Sequence, residues 1–284
     1  MRSKLFVPGS RPELFEKAVA SGADAVTFDL EDAVVPERKA EARAAVASFL
    51  TQRRTGAPLL IVRVNPIGSP FFEEDIKALV LPALDVLNLP KIESGGEVRE
   101  VSALVADLEA QRGFKHQIGI LANIETPRAV RLAAEIATSD SRLAGLQLGF
   151  GDLFEPFGID RRDPVAAAAV KLSVRLAAAE GNLPLYDSAF PAVEDMAGFR
   201  AEAESARRLG LSGKSCIHPS QIATANEVFF PTAKEIDAAK SIVAAAEDRF
   251  SQGMGAFMLN GVMVDEPYVA RARALLAIAA GGAS

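Results

Sequence analysis

Short runs of β-branched and apolar residues recur along this chain with amphipathic segments between them. That alternation constrains the fold more than any other feature of the sequence. The runs cover residues 4–7, 25–29, 59–64, 86–89, 118–124, 145–149, 183–186 and 214–217. Their spacing averages about 30 residues, the size of one strand–helix unit. In the segments between, Leu14, Phe15, Ala18 and Val19 share one helical face. Val98, Val101, Leu104, Val105 and Leu108 form a second stripe, and Met196, Phe199, Ala203, Ala206 and Leu209 a third. Pro12, Pro36, Pro127 and Pro164 stand near the starts of such segments, where a missing N–H costs nothing. Strands and helices in this alternation predict a (β/α)8 TIM barrel. A doubly wound open sheet is the rival, but it carries a G-x-G-x-x-G turn after its first strand, and Pro8-Gly9-Ser10-Arg11-Pro12 is not one.

The barrel is expected over residues 1–230. Residues 231–284 read as an extension packing on the barrel or on a neighbouring subunit. It has a long helix over about 232–250, a hairpin marked by Asn260-Gly261 between apolar residues, and a last helix from near Pro267. The Gly281-Gly282-Ala283-Ser284 end is expected to fray.

Composition narrows the function. Lys and Arg number 31 against 37 Asp and Glu, a net charge of −6, and such an acidic chain argues against nucleic acid. No apolar run approaches the roughly 18 residues of a membrane helix. The opening Met1-Arg2-Ser3-Lys4-Leu5-Phe6-Val7-Pro8 has too short an apolar run for a secretory signal, which needs roughly 7–15 residues. The expected location is cytoplasmic. One cysteine, Cys216, excludes an internal disulfide and a thiolate zinc cluster.

Barrel enzymes assemble their sites at the C-terminal ends of the strands. Those ends carry Asp29-Leu30-Glu31-Asp32, Arg63, Lys91-Ile92-Glu93, Glu125, Gly149-Phe150-Gly151-Asp152, Asp187 and His218. So many carboxylates in one place repel one another, which points to a bound divalent cation, Mg2+ or Mn2+. Glu125 and Asp152, on neighbouring strand ends and flanked by small or apolar residues, are the candidate ligands. The plainer alternatives are a first-turn acid at the helix beginning with Pro127 and a loop turn. Arg63, in an otherwise apolar strand, is either a core ion pair or a fork for a substrate carboxylate. Lys91 is a Schiff-base candidate or a partner for Glu93 or Glu125, with pairing favoured. His218 is an acid, a supporting donor or a helix cap. His116 reads as surface and Cys216 as inert core.

Seven segments carry a family resemblance. They are Arg2-Ser3-Lys4-Leu5-Phe6-Val7-Pro8-Gly9, Asp29-Leu30-Glu31-Asp32-Ala33-Val34, Val62-Arg63-Val64-Asn65, Pro90-Lys91-Ile92-Glu93, Ile124-Glu125-Thr126-Pro127, Gly149-Phe150-Gly151-Asp152 and Ile217-His218-Pro219. Together they resemble the citrate lyase β-subunit family, which includes malyl-CoA and β-methylmalyl-CoA lyases. The resemblance implies a barrel of the phosphoenolpyruvate/pyruvate-binding type, assembled as a homotrimer or a dimer of trimers. It implies Mg2+ on Glu125 and Asp152, with Glu125 also facing substrate, and Arg63 on the carboxylate of a 2-oxo acid. Glu31 and Asp32 would lie beside the metal and order its waters or Arg63. Arg2, Arg11 and Lys17 become candidates for the CoA phosphates. Val264-Asp265-Glu266-Pro267-Tyr268 keeps an aspartate that in relatives reaches a neighbouring subunit as acid/base, with Tyr268 where they have His. The plain reading of Asp265 is a cap for the last helix. The implied reaction is Mg2+-dependent cleavage of a 3-hydroxyacyl thioester to an acyl thioester and a 2-oxo acid such as oxaloacetate or glyoxylate. A subunit acting only on acyl-carrier thioesters within a complex, and a non-catalytic oxo-acid-binding paralogue, are the alternatives.

Overall fold

The computed structural model describes residues 1–51, 56, 58–251 and 253–281. Strands β1 (Ser3–Pro8), β2 (Ala25–Asp29), β3 (Leu59–Arg63), β4 (Val86–Leu89), β5 (Gly119–Ile124), β6 (Leu143–Leu148), β7 (Leu185–Asp187) and β8 (Gly213–Cys216) are parallel neighbours in sequence order. β8 pairs with β1, through Ser3↔Lys214 and Leu5↔Cys216, and closes the barrel. Every run read from the sequence becomes one of these strands, with ends shifted by at most two residues. Full closure removes both sheet edges, so strands such as β2 and β4 are buried along their whole length.

Side chains alternate across each strand, so one set faces the helices and the other fills the barrel. The helix-facing set is mainly apolar, with the buried Asp187 and Lys214 of β7 and β8 as charged exceptions. Val26 and Phe28 of β2 are fully buried, and Phe28 meets Phe15 and Phe49 edge-on at 4.7 and 5.2 Å. The interior is layered. Ala25, Ile61, Val86, Leu121 and Tyr186 form an apolar plug, with Met1 packed against it. Above the plug the interior is polar: Lys4, Thr27, Asn88, Asn123, Gln147 and Ser215 are all buried. Only above them, at the C-terminal ends, do the carboxylates appear.

Helix starts follow the expected chemistry. Pro127 and Pro164 open α-helices Pro127–Arg131 and Pro164–Glu180, capped by Thr126 and Asp163. Pro12 and Pro36 instead open single 3-10 turns, which lead into the helices Phe15–Val19 and Lys39–Phe49. The stripe on Gly95–Gln111 buries Val98, Val101 and Val105.

The chain divides into two compact units, Met1–Asn226 and Glu227–Ser284. In the second, helix Ala233–Ser251 begins with a reciprocal cap: Thr232 Oγ1 accepts from the Glu235 N–H at 3.2 Å, and Glu235 accepts from the Thr232 N–H at 2.8 Å. Strands β9 (Ala256–Leu259) and β10 (Val262–Asp265) form the hairpin. Asn260 and Gly261 both take positive φ, +50° and +81°, as a two-residue turn between twisted strands demands. Ala246, Phe257, Val264 and Val269 make this unit's small core, and helix Glu266–Gly281 follows. Residues 282–284, where fraying was expected, lie outside the described residues.

Candidate active site

A cavity of about 560 Å³ opens at the C-terminal ends of the barrel strands. Phe6, Asp29, Arg63, Asn123, Glu125, Gln147 and Ser215 line it from the strands, and Asp152 and Arg161 line it from the segment after β6.

Glu125 follows β5 and is 2% exposed. It does not cap the next helix. Thr126 does that, its hydroxyl accepting from the Ala129 N–H at 3.1 Å, which leaves the Glu125 carboxylate to the cavity. The carboxylate is held from two sides. The Lys91 N–H donates to Oε1 at 2.7 Å, and Asn123 Nδ2 donates to Oε2 at 3.1 Å. Asn88 Nδ2 donates in turn to Asn123 Oδ1 at 2.7 Å, so a line of amides from the barrel interior orients Glu125. Lys91 has φ +52°, a left-handed conformation that a side-chain-bearing residue adopts rarely, and in it the amide meets Glu125. Gly149 lies opposite. A Cβ there would stand 2.2 Å from Glu125 Oε2 and 2.6 Å from its Cβ, so no other residue fits without moving the carboxylate. Burial, and then the charge of Glu31, push the Glu125 carboxyl up to about 7; Arg63 opposes them and Asp152 adds to them.

Asp152, in the short helix Phe150–Phe154, has a side chain 37% exposed beside this buried acid. A buried carboxylate that is hard to ionise, an open one near it and a glycine at closest approach suit a hard divalent cation such as Mg2+ or Mn2+. Among the described residues no three His, Cys, Asp or Glu side chains close into a cage. A cation held by Glu125 and Asp152 would need water or substrate oxygens to complete its shell, the habit of Mg2+. Lys91 Nζ currently stands among the acids, 2.8 Å from Glu31 Oε1, 3.4 Å from Asp152 Oδ1 and 3.9 Å from Asp32 Oδ1. Burial works against its charge, but Glu31, Asp152 and Asp32 outweigh burial and hold its pKa above the ordinary lysine range. A protonated lysine is no Schiff-base nucleophile. Its side-chain partner is Glu31, not Glu93 or Glu125 as the sequence suggested; Glu93 accepts from Thr126 Oγ1 at 2.8 Å.

Arg63 takes the first of the two roles its place in β3 allowed, the core ion pair. Its Nε and Nη2 donate to Asp29 Oδ1 and Oδ2 at 2.7 and 2.6 Å, a two-pronged pair set by the β2–β3 register that places Asp29 beside Arg63. Nη1 lies 2.7 Å from Glu31 Oε2 and 3.2 Å from Asp32 Oδ2. The ring of Phe6 sits 5.2 Å from the guanidinium carbon. Arg63 thus lines the cavity, but the fork expected for a substrate carboxylate is closed on Asp29. Glu31 is buried beneath it, its carboxyl raised by burial against the pull of Arg63 and Lys91, while Asp32 is exposed at the cavity wall.

Other expected residues fall elsewhere. Arg2 precedes β1 and so stands at the N-terminal end of the barrel, away from the cavity. Its Nε and Nη2 grip Asp24 at 2.9 and 2.7 Å, just before β2, which removes it from a CoA-phosphate role at the mouth. Arg11 follows β1 at the correct end, exposed and paired with Glu13. Lys17 is exposed on helix Phe15–Val19. Asp265 closes β10 in the second unit, its Oδ1 buried without a hydrogen-bond partner. His218 is exposed, and its Nδ1 accepts from the Ser220 N–H at 3.2 Å, the cap role among those considered. Cys216 is buried, its thiol pushed up to about 12, and is inert. His116 is half-buried, stacked on Phe114.

Two residues, and the pairing of a third, escaped the sequence reading. Asp29 was visible as a strand-end acid, but its pairing depends on register. Lys4 lies within β1 with Nζ buried and without a hydrogen-bond partner, 4.5 Å from the Phe6 ring. Burial, and then Arg63, hold its pKa well below the ordinary range. A lone lysine ahead of Leu5-Phe6-Val7 was the available signal. Arg161, in the loop after β6, carried none.

A parallel (β/α)8 barrel with acids converging at its C-terminal mouth is a class shared by many enzymes, so sequence relationships narrow it. A model of the family described as HpcH/HpaI aldolase/citrate lyase matches residues 2–219. The citrate lyase subunit beta of Leuconostoc mesenteroides subsp. cremoris is 36% identical over 282 residues, 98% of this chain and 93% of that protein. An L-malyl-CoA/beta-methylmalyl-CoA lyase of Cereibacter sphaeroides is 35% identical over 300 residues, 97% of this chain and 93% of its own length. The crystal structure of the protein CitE from Mycobacterium tuberculosis, in complex with magnesium, acetoacetate and coenzyme A, superposes with a TM-score of 0.78. It is 31% identical and covers 99% of this chain and 100% of that one. The chain belongs to the HpcH/HpaI aldolase/citrate lyase family.

Proposed function

We propose that this protein is a Mg2+-dependent carbon–carbon lyase that cleaves a 3-hydroxyacyl thioester of the citryl, malyl or citramalyl type to an acyl thioester and a 2-oxo acid. The observation that carries the reading is Glu125: a buried carboxylate clamped by the Lys91 amide and Asn123, with Gly149 keeping its far side open and Asp152 beside it. Magnesium is named with the solved M. tuberculosis relative, and citrate and malyl-CoA lyase are the names of the curated relatives.

Glu125 and Asp152 are the residues that would hold the ion. When bound, Mg2+ supplies Lewis-acid polarisation of the substrate oxygens, which eases loss of the hydroxyl proton. The reaction removes that proton, breaks the bond between the carbinol carbon and the carbon next to the thioester, and leaves the electron pair as a thioester enolate. The enolate takes up one proton at carbon, so proton and electrons balance. Asp29 and Glu31 fix Arg63, whose charge faces the cavity and offsets the carboxylate of the departing oxo acid. Lys91 offsets the excess of acids around the ligands. Asp265, with a buried oxygen lacking a partner, is the candidate acid for the enolate carbon, brought by a neighbouring subunit of a homotrimer or a dimer of trimers. Arg11 and Lys17, exposed in the segment after β1, remain the candidate contacts for CoA phosphates. Among the described residues no helix is long and apolar enough to cross a membrane; the proposed setting is the cytoplasm.

The test is purified full-length protein with Mg2+ against malyl-CoA, β-methylmalyl-CoA, citramalyl-CoA and citryl-CoA, following 2-oxo acid release. Turnover stopped by EDTA is expected. Release of free CoA without an oxo acid would mark hydrolysis instead. No turnover with intact oxo-acid binding would point to a subunit that needs an acyl-carrier partner.

A further inference from the structure

The wall of the cavity built on β6, β7 and β8 has polar atoms that the proposed chemistry does not use. Ser215 Oγ, Gln147 Oε1 and Arg161 Nε are each buried without a hydrogen-bond partner, and all three residues line the cavity. Buried polar groups are nearly always paired in a working protein, so three on one wall call for a ligand or water that completes them. Arg161 is a held group. Its Nη2 donates to Ala189 O at 2.7 Å and to Glu202 Oε1 at 3.0 Å, and its guanidinium carbon lies 6.0 and 5.7 Å from the rings of Phe150 and Phe190. Behind it runs a buried ionic network. Glu202 also takes Lys214 at 2.5 Å, and Asp187 takes Lys214 at 2.8 Å and Lys171 at 3.0 Å. Three cationic side chains thus meet two carboxylates. Arg161 is the cation of this network that reaches the cavity, and its Nε is spare.

A CoA or carrier thioester must leave by the mouth because its pantetheine arm is long. Gln147 and Ser215, on strands inside the barrel, therefore meet the other end of the substrate, the part that becomes the oxo acid. With one carboxylate and the neighbouring oxygen at the Glu125–Asp152 end, what remains is the side chain of that acid. A methyl group would want an apolar wall, and a guanidinium with a spare, buried Nε–H and an unpaired hydroxyl on Ser215 suit an anion.

We propose that Arg161, with Ser215 and Gln147, binds the second carboxylate of a dicarboxylic 2-oxo acid and makes the site selective for oxaloacetate over pyruvate. The proposal rests on the lyase reading of the same site. Gln147 can donate to a carboxylate only through its amide Nε2, since Oε1 is an acceptor, and Glu155 on the same wall is exposed to solvent.

The experiment is calorimetric titration of the full chain in Mg2+ with freshly dissolved oxaloacetate and with pyruvate, for the wild type, Arg161→Gln and Ser215→Ala. A charge-assisted contact predicts that the wild type favours oxaloacetate by about 10- to 100-fold. Arg161→Gln should lose that preference while pyruvate affinity stays within about twofold. Ser215→Ala, which leaves the ionic network intact, should reduce the preference by about threefold or more. Equal wild-type affinities, or a loss in Arg161→Gln shared equally by both acids, would overturn the proposal. If Arg161→Gln fails to fold by circular dichroism, an unchanged preference in Ser215→Ala overturns it. Pyruvate binding that persists in those cases leaves the lyase reading standing. Absence of Mg2+-dependent binding of either acid removes both.

Discussion

Replacing Glu125 with glutamine should stabilise the metal-free protein, although the side chain is central to the site. Glu125 is 2% exposed, and its carboxyl pKa of about 7 stands above the ordinary 4.5. A raised folded-state value means that the folded protein holds this proton more tightly than the unfolded chain does. Its contribution is therefore fully present below about pH 4.5 and lost as pH rises through 7. At 1.36 kcal/mol per unit, the ionised group burdens the metal-free fold by about 3 kcal/mol at pH 8. Glutamine removes the charge in the same shape. It can still accept the Lys91 N–H, but its amide nitrogen cannot accept from Asn123, a loss of about 1 kcal/mol. The balance is about 2 kcal/mol in favour of the variant, a rise in Tm of about 4–8 °C for a unit of this size. The assay is thermal unfolding in EDTA from pH 5 to pH 8. The gap between variant and wild type should open as pH rises and vanish near pH 5, where Glu125 is protonated. Mg2+ at pH 8 should raise the Tm of the wild type and leave the variant unmoved. A gap that does not change with pH, or a variant less stable at pH 8, would refute the account of Glu125 as a buried acid strained by its charge.

Gly149→Ala should displace the Glu125 carboxylate, because the added Cβ would stand 2.2 Å from Oε2. A cost of about 1–3 kcal/mol in denaturant unfolding is expected, with loss of Mg2+-dependent oxo-acid binding; retained affinity would show that Gly149 is not the cradle. Asp152→Ala removes a side chain 37% exposed, so stability should stay within about 0.5 kcal/mol, while calorimetry shows Mg2+ binding lost. Unchanged Mg2+ affinity would remove Asp152 from the metal site. Arg63→Lys keeps the charge but cannot reproduce the paired bonds to Asp29 at 2.7 and 2.6 Å. A loss of about 1.5–3 kcal/mol should accompany weaker oxo-acid binding; an unchanged Tm would mean that the Asp29 pair does not hold the strand ends together.

The barrel was legible because its periodicity is local. Each apolar run and each amphipathic stripe carries its own period, and a parallel strand buried on both faces draws mainly on apolar residues. The place of Glu125 and Asp152 at the mouth was legible for a related reason: Glu125 follows β5 directly, Asp152 lies in the short helix just after β6, and a parallel barrel sends all such residues to one mouth. The same rule, applied to the other end of a strand, would have excluded Arg2 from that mouth, since it precedes β1.

The residues by themselves determined a (β/α)8 barrel, a C-terminal hairpin at Asn260-Gly261 and a set of acids at one end. Only the tertiary structure decided which charges meet. Arg63 closes on Asp29 because the β2–β3 register sets them side by side, and Lys91 reaches Glu31 across 60 positions of chain. Arg161 faces the cavity because Glu202 and Ala189, on later segments, hold it there. Pairings between distant residues depend on register and on barrel closure. No local pattern encodes these, because a strand reads the same whichever neighbour it is shifted against.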